Sequence, residues 1–344
     1  MKIALDAMGG DFAPSSNIDG AIKSVKALDD IDIILVGDRA IIEKGLEGKD
    51  YPKERITIKH ATEVVTMHDE PLAAIRKKKD SSIKIAVELV KAGHADGVIS
   101  AGHSGAIMAT SYFVLGRAKG IDRPAIASTM PGMNGPFVVI DSGANVDCKP
   151  EHLLQFGIMG SAYFSAVYGV KAPKIGLLSI GEEDTKGNEL TKESFKLLKE
   201  TKLNFIGNIE GKDVFTGLAD VIVCDGFIGN IVLKLSEGLA VVIMKMIKRE
   251  IKGTLDKMMN WIFTKPAVMR VKAKTDFDET GGAPLLGING SCIICHGRSG
   301  AKAISNALVV ANQLTKIRLD RIISADFSAH IQDQQLKESQ FVKS

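Results

Sequence analysis

Seven short apolar runs recur along the chain, at 3–5, 31–36, 97–99, 137–140, 175–178, 221–223 and 288–294, each too short for a helix and most closed by Gly, Ser or Asp. Between most of them lie helix-length segments whose apolar residues step by three or four, such as Ile22, Val25 and Leu28, or Ile83, Val87 and Val90. Strand-length runs alternating with helical periodicity predict a β-α-β-α order. That order predicts an α/β fold with a largely parallel sheet covered on both faces. No Pro/Ser-rich linker, low-complexity tract or fixed-period repeat divides the chain, so residues 1–344 are expected to form a single unit.

Hydrophobic residues at 45% and charged ones at 25% are the balance of a folded globular protein, not of a disordered or disulfide-stapled one. A net charge of +3 and four scattered tyrosines give no footprint for nucleic acid. The opening MKIALDAMGGDF lacks the long apolar core of a secretory signal, and four cysteines are too few for a disulfide framework, so a cytoplasmic protein with free thiols is expected. Residues 153–170 run uncharged for the length of a membrane span. They include Gln155, Ser161, Tyr163 and three glycines, which fits a helix buried against the sheet better.

One stretch differs in kind. From 245 to 274, nine basic residues stand against only Glu250 and Asp256. Within it Leu255, Met258, Met259 and Ile262 make one apolar helical face, beside Trp261 and Phe263. The expectation is a projecting helical hairpin over 245–274, inside a helical contact segment of 233–274, that touches an anionic membrane through Leu255, Met258, Met259, Trp261 and Ile262, or a dimer partner, or both.

Ligands of parallel sheets bind beyond the carboxyl ends of strands. Here those ends are residues 6–11, 100–106, 141–145, 181–188, 225–230 and 296–300, all rich in Gly and small polar groups. Glycine lets backbone approach an anion, and free amides at the next helix start favour negative charge. One such loop is explained by turn geometry alone, but six together predict a phosphate or polyanionic ligand. Asp6, Gly9, Gly10, Ser104, Gly105, Asn145, Asp225 and Asn230 are the candidate binding positions. Lys186 reads either as part of a solvated turn or, with Asn188, as a phosphate contact on a loop freed by glycines. His296 reads as a phosphate ligand or proton donor, and Lys186, Asn188 and His296 are the candidate catalytic residues.

No G-x-G-x-x-G follows a strand, and no G-x-x-x-x-G-K-[ST] occurs. Cys292-Ile293-Ile294-Cys295-His296 fits the haem-attachment pattern. In a strand, however, residues three apart face opposite ways, so two small buried hydrophobes are expected. No metal site and no Ser-His-Asp or Cys-His nucleophile is marked.

The blocks ALDAMGGD, SAGHSGA, GANVDCKPEHL, GLLSIGEEDTKGNEL, GNIEGKD, VIVCDGFIGNIVLK and GGAPLLGINGSCIICHG, in this order and nearly end to end, resemble the PlsX family of phosphate acyltransferases. The resemblance implies transfer of a long-chain fatty acyl group from acyl-acyl carrier protein to inorganic phosphate. The acyl phosphate would feed a membrane glycerol-3-phosphate acyltransferase in phospholipid synthesis. It also implies a homodimer without cofactor, at the inner face of the cell membrane. The implied architecture is a three-layer α/β/α fold similar to the isocitrate and isopropylmalate dehydrogenases. His103-Ser104 stand where the family usually has Asn-Thr, and Arg298 replaces a small residue. Two other readings stay open: a metal- and NAD-dependent decarboxylating dehydrogenase of similar fold, and a non-catalytic membrane-surface adaptor.

Overall fold

The structure is a computed structural model that describes residues 1–251, 268–269 and 281–341, with side chains described to 250 and 330 at the ends of two long helices. The strands are β1 (Lys2–Asp6), β2 (Asp32–Gly37), β3 (Ile56–His60), β4 (Gly97–Ser100), β5 (Ala125–Gly132) and β6 (Gly135–Ile140). They continue as β7 (Ile175–Leu178), β8 (Phe205–Ile209), β9 (Val221–Val223), β10 (Ala283–Leu286) and β11 (Ser291–Ile294). The helices are α1 (Ser15–Ala27), α2 (Arg39–Leu46), α3 (Pro71–Lys77), α4 (Ser82–Lys91) and α5 (Ser104–Val114). After them come α6 (Pro150–Tyr168), α7 (Glu189–Lys199), α8 (Gly226–Ile251), α9 (Ala301–Lys316) and α10 (Leu319–Phe341).

All eleven strands join one sheet in the order β3-β2-β1-β4-β11-β10-β5-β6-β9-β7-β8. The sheet is mostly parallel, as expected, but β10 pairs antiparallel with both β11 and β5, and β5 antiparallel with β6. Three reversals in a row leave β6, β9, β7 and β8 running opposite to β1, β2, β3, β4 and β11. The expected unbroken β-α-β-α order therefore fails at two hairpins, β5–β6 and β10–β11. The first turns at Met133-Asn134 before Gly135, whose φ of 134° suits a tight hairpin.

The last apolar run also starts later than expected, at Ser291, because Gly287 and Gly290 take positive φ and make 287–290 a turn. Strands β3, β5, β8 and β10 lay outside the apolar runs. Each is short, or carries Pro, Gly or exposed polar residues.

One continuous core covers one face of the sheet, where Ile3, Leu5, Ile140 and Val223 meet Phe156 and Met159 of α6 and Ile304 and Leu308 of α9. The uncharged run at 153–170 is explained by this burial: α6 hides Phe156, Ile158, Met159 and Phe164, at about 1.5–3 kcal/mol each. On the other face the core is split. Ile126 of β5 belongs to a cluster under α4 and α5, and Met130 of the same strand to another under the start of α8.

Candidate active site

A crevice opens in an α/β sheet where the loops after adjacent strands turn to opposite faces. Two such points exist here. After β1 the chain enters α1 on the continuous-core face, while after β4 it enters α5 on the other. After β6 it enters α6 on the continuous-core face, while after β9 it enters α8 on the other. Because the two strand sets run in opposite senses, these crevices lie at opposite edges of the sheet. The six glycine-rich loops, read from sequence as one group, are thus divided. Asp6, Gly9, Gly10, Ser104, Gly105 and His296 share one edge; Asn145, Lys186, Asn188, Asp225 and Asn230 share the other.

At the first edge, Asp6 is wholly buried and does not face a ligand. Its Oδ1 accepts the Met8 N–H at 3.2 Å and its Oδ2 accepts the Ser100 hydroxyl at 2.7 Å, while Ser100 Oγ accepts the Gly102 N–H at 3.0 Å. Burial raises the Asp6 pKa, and the hydrogen bonds from Ser100, Ser82, Met8 and Gly9 oppose the rise. The carboxyl thus clamps the first loop to the second. A Cβ on Gly9 would lie 2.5 Å from Asp6 Oδ2 and 2.7 Å from Gly102 N, so only glycine closes this junction. The third loop joins through the Asp11 N–H, which donates to the Gly297 carbonyl at 2.7 Å.

Two imidazoles flank the junction. His103 Nδ1 accepts the Gly105 N–H and His296 Nδ1 accepts the Arg298 N–H, each at 3.1 Å. In both rings the proton of the neutral form therefore sits on Nε2, which makes them donors. Ser104 and His296 are exposed, and the Arg298 guanidinium makes no ion pair among the described residues. Helices α1, α5 and α9 all start here, and neither α1 nor α9 has a side-chain cap. The dipoles of these three helix starts make this edge favourable to an anion. His103 and Arg298, seen in the sequence only as departures from a family pattern, are thus placed with the candidate residues.

At the second edge, Asp141 is wholly buried at the end of β6. Its Oδ1 accepts from the amides of Ile126, Gly143 and Ala144 at 3.0, 3.2 and 3.0 Å, and its Oδ2 from Asn145 N and Nδ2 at 2.6 and 2.9 Å. Burial raises the pKa of this carboxyl too, against those donors. Asn145 also donates Nδ2 to the Pro124 carbonyl at 2.7 Å, so its amide protons are committed to the loop. Asp225 accepts the Ile228 N–H at 2.8 Å and caps α8. Asn230 is exposed beside Gly143.

Farther along this edge Asn188 caps α7 by accepting the Thr191 N–H at 2.9 Å. Lys186 is exposed and makes no ion pair among the described residues, while nearby Lys199 and Lys212 pair with Asp184 and Glu182. Within one chain the reversal at β10 and β5 places Lys186 and Asn188 at the other edge of the sheet from His296.

Cys292 and Cys295 are buried in different clusters on opposite faces, and burial pushes each thiol up to about 12. Neither is poised to attack or to share a ligand. Leu255, Met258, Met259, Trp261 and Ile262 lie outside the described residues. The helix leading towards them, α8, is long and apolar enough to cross a membrane, yet its apolar window is only 6% buried. Ile228, Ile231, Leu235, Leu239, Val242 and Met246 form an exposed stripe along it.

Comparison with known proteins places this geometry in a lineage. A sequence model of the fatty acid synthesis protein family matches residues 1–320. A phosphate acyltransferase of Thermodesulfovibrio yellowstonii is 56% identical over 324 residues, covering 94% of this chain and 93% of that one. Another, of Geotalea daltonii, is 53% identical over 92% of this chain and 91% of its own. Among solved structures, a phosphotransacetylase from Streptococcus pyogenes superposes with a TM-score of 0.61 at 18% identity, covering 93% of this chain and 94% of that one.

Proposed function

Because this chain belongs to the fatty acid synthesis protein family, whose curated relatives are phosphate acyltransferases, we propose that the crevice after β1, β4 and β11 holds inorganic phosphate for attack on an acyl thioester. The chain is an acyltransferase of lipid biosynthesis that moves a fatty acyl group from acyl-acyl carrier protein to phosphate. Neither a dehydrogenase nor a non-catalytic adaptor is favoured by those relatives.

The observation that carries the reading is the convergence of donors, namely three helix starts, two Nε2–H groups and the Arg298 guanidinium, at an edge whose exposed carboxylate is Asp11. Phosphate is already a nucleophile, so positioning is the main task. A phosphate oxygen bonds to the carbonyl carbon, the tetrahedral oxyanion is held by fixed N–H donors, and the C–S bond then breaks to release thiolate. An Nε2–H beside the sulfur can supply the proton. On this proposal the opposite edge, where Lys186 makes no ion pair among the described residues, faces the acyl carrier protein. With acyl-acyl carrier protein in detergent-free buffer, thiol release should require phosphate and follow it to saturation. Release that ignores phosphate would mark a thioesterase and end this reading.

The apolar stripe of α8 supports a homodimer that covers it with a second copy, in three α/β/α layers similar to the isocitrate and isopropylmalate dehydrogenases. On the same reading the basic 245–274 segment touches anionic membrane on the cytoplasmic side, where acyl phosphate passes to a glycerol-3-phosphate acyltransferase. Leu235→Asp should turn a sedimenting dimer into monomer, and the wild type should bind anionic vesicles in a salt-sensitive way. A wild-type monomer, or equal binding to zwitterionic vesicles, would remove the corresponding part.

A further inference from the structure

The first loop at the phosphate crevice is held from below by a side chain that no sequence motif marks. Asn17, in the first turn of α1, is wholly buried. Its Nδ2 donates to three backbone carbonyls, those of Asp6, Ala7 and Gly9, at 3.3, 3.0 and 2.9 Å. Its Oδ1 has no hydrogen-bond partner among the described residues. A buried orphan oxygen is costly, and a turn does not need three carbonyls gathered on one nitrogen.

The consequence follows from the planar trans peptide, in which a carbonyl and the next N–H point in opposite directions. Drawing the Gly9 carbonyl inward turns the Gly10 N–H outward. The Met8 and Gly9 N–H groups are taken by the Asp6 carboxyl, and the Asp11 N–H by Gly297. The Gly10 N–H alone among them has no partner within the described residues. Gly10 has φ of 103°, and a Cβ there would stand 3.1 Å from the Gly297 carbonyl and 3.2 Å from Ala101 Cβ, so this amide sits where all three loops meet.

We propose that Asn17 is a positioning residue of the acyl transfer: by holding the Asp6, Ala7 and Gly9 carbonyls inward, its amide aims the Gly10 N–H at the phosphate in the crevice. The inference rests on the phosphate acyltransferase reading and adds the residue that orders its anion-binding loop.

Asn312 provides a matched control. It is likewise buried, with an unpartnered Oδ1 and Nδ2 donating to Asp30 at 3.1 Å, but it belongs to α9 near its far end. Asn17→Ala should raise the phosphate KM about tenfold or more and leave the acyl-acyl carrier protein KM within about twofold. Asn17→Ser, which keeps one donor, should fall between wild type and Asn17→Ala. Asn312→Ala should lower the melting temperature without moving either constant. If Asn17→Ala behaved like Asn312→Ala in a phosphate-dependent enzyme, this inference alone would fail; a wild type without phosphate-dependent thiol release takes the underlying reading with it. Should the Asn17 variants not fold, hydrogen exchange on wild type decides. Inorganic phosphate should slow exchange in the peptide spanning 7–12, and unchanged exchange at saturating phosphate overturns the proposal.

Discussion

Asp141→Ala should cost the fold at least about 1.5–3 kcal/mol, the contribution of even one hydrogen bond to a charged group. The cause is the number of groups orphaned. Five N–H donors, from Ile126, Gly143, Ala144 and both nitrogens of Asn145, converge on one wholly buried carboxylate. An alanine leaves the buried Ile126 N–H and the part-buried amides of Gly143, Ala144 and Asn145 without this acceptor, while Asn145 Nδ2 keeps the Pro124 carbonyl; a buried donor left unsatisfied costs about 1–3 kcal/mol before the loop relaxes. The backbone here also packs closely against α8, since a Cβ on Gly229 would clash with the Asp141 carbonyl. Urea unfolding with an unchanged m-value measures the loss. A shift below about 1 kcal/mol would mean that the loop is held by other contacts.

The second large effect concerns substrate. Arg298→Ala should lower kcat/KM for phosphate about 10- to 100-fold, since a hydrogen bond to a charged group contributes about 1.5–3 kcal/mol. The acyl-acyl carrier protein KM should hardly move. Lys186→Ala, at the other edge of the sheet, should do the reverse: it should raise the acyl-acyl carrier protein KM and leave the phosphate KM within about twofold. Steady-state kinetics with each substrate varied separates the two. If Lys186→Ala weakened phosphate as strongly as Arg298→Ala, both edges would serve one phosphate, which the strand senses allow only between two copies of the chain.

Much of this was legible in the sequence because it is local. A buried strand such as Ile3–Leu5 or Val221–Val223 announces itself by an apolar run, and the glycine-rich ends by composition. The reversal of strand sense is not local. It arises from pairings such as Leu285 with Ile126, far apart in the chain, and its one short-range sign is Asn134-Gly135 at the β5–β6 turn. That is why residues read as one cluster stand at two edges.

The roles of Asp6 and Asp141 were hidden for a related reason. A polar residue after a strand reads as an exposed ligand contact, whereas these two are floors beneath their loops. Asn17 gave no signal, because an asparagine in the first turn of a helix is ordinary until its three carbonyl partners are seen. The apolar stripe of α8 was not read from the sequence, whose apolar helical face was placed at 255–262. That stripe is exposed, whereas the uncharged α6 is buried.

Whether phosphate itself attacks the thioester is decided by mixing the protein with acyl-acyl carrier protein and oxygen-18-labelled phosphate and weighing the products. Direct attack gives acyl phosphate that retains the label on its phosphoryl group and its bridging oxygen, one for each thiol released, and intact thioester when phosphate is omitted. Free fatty acid as the first product, with thiol released in the absence of phosphate, would contradict it.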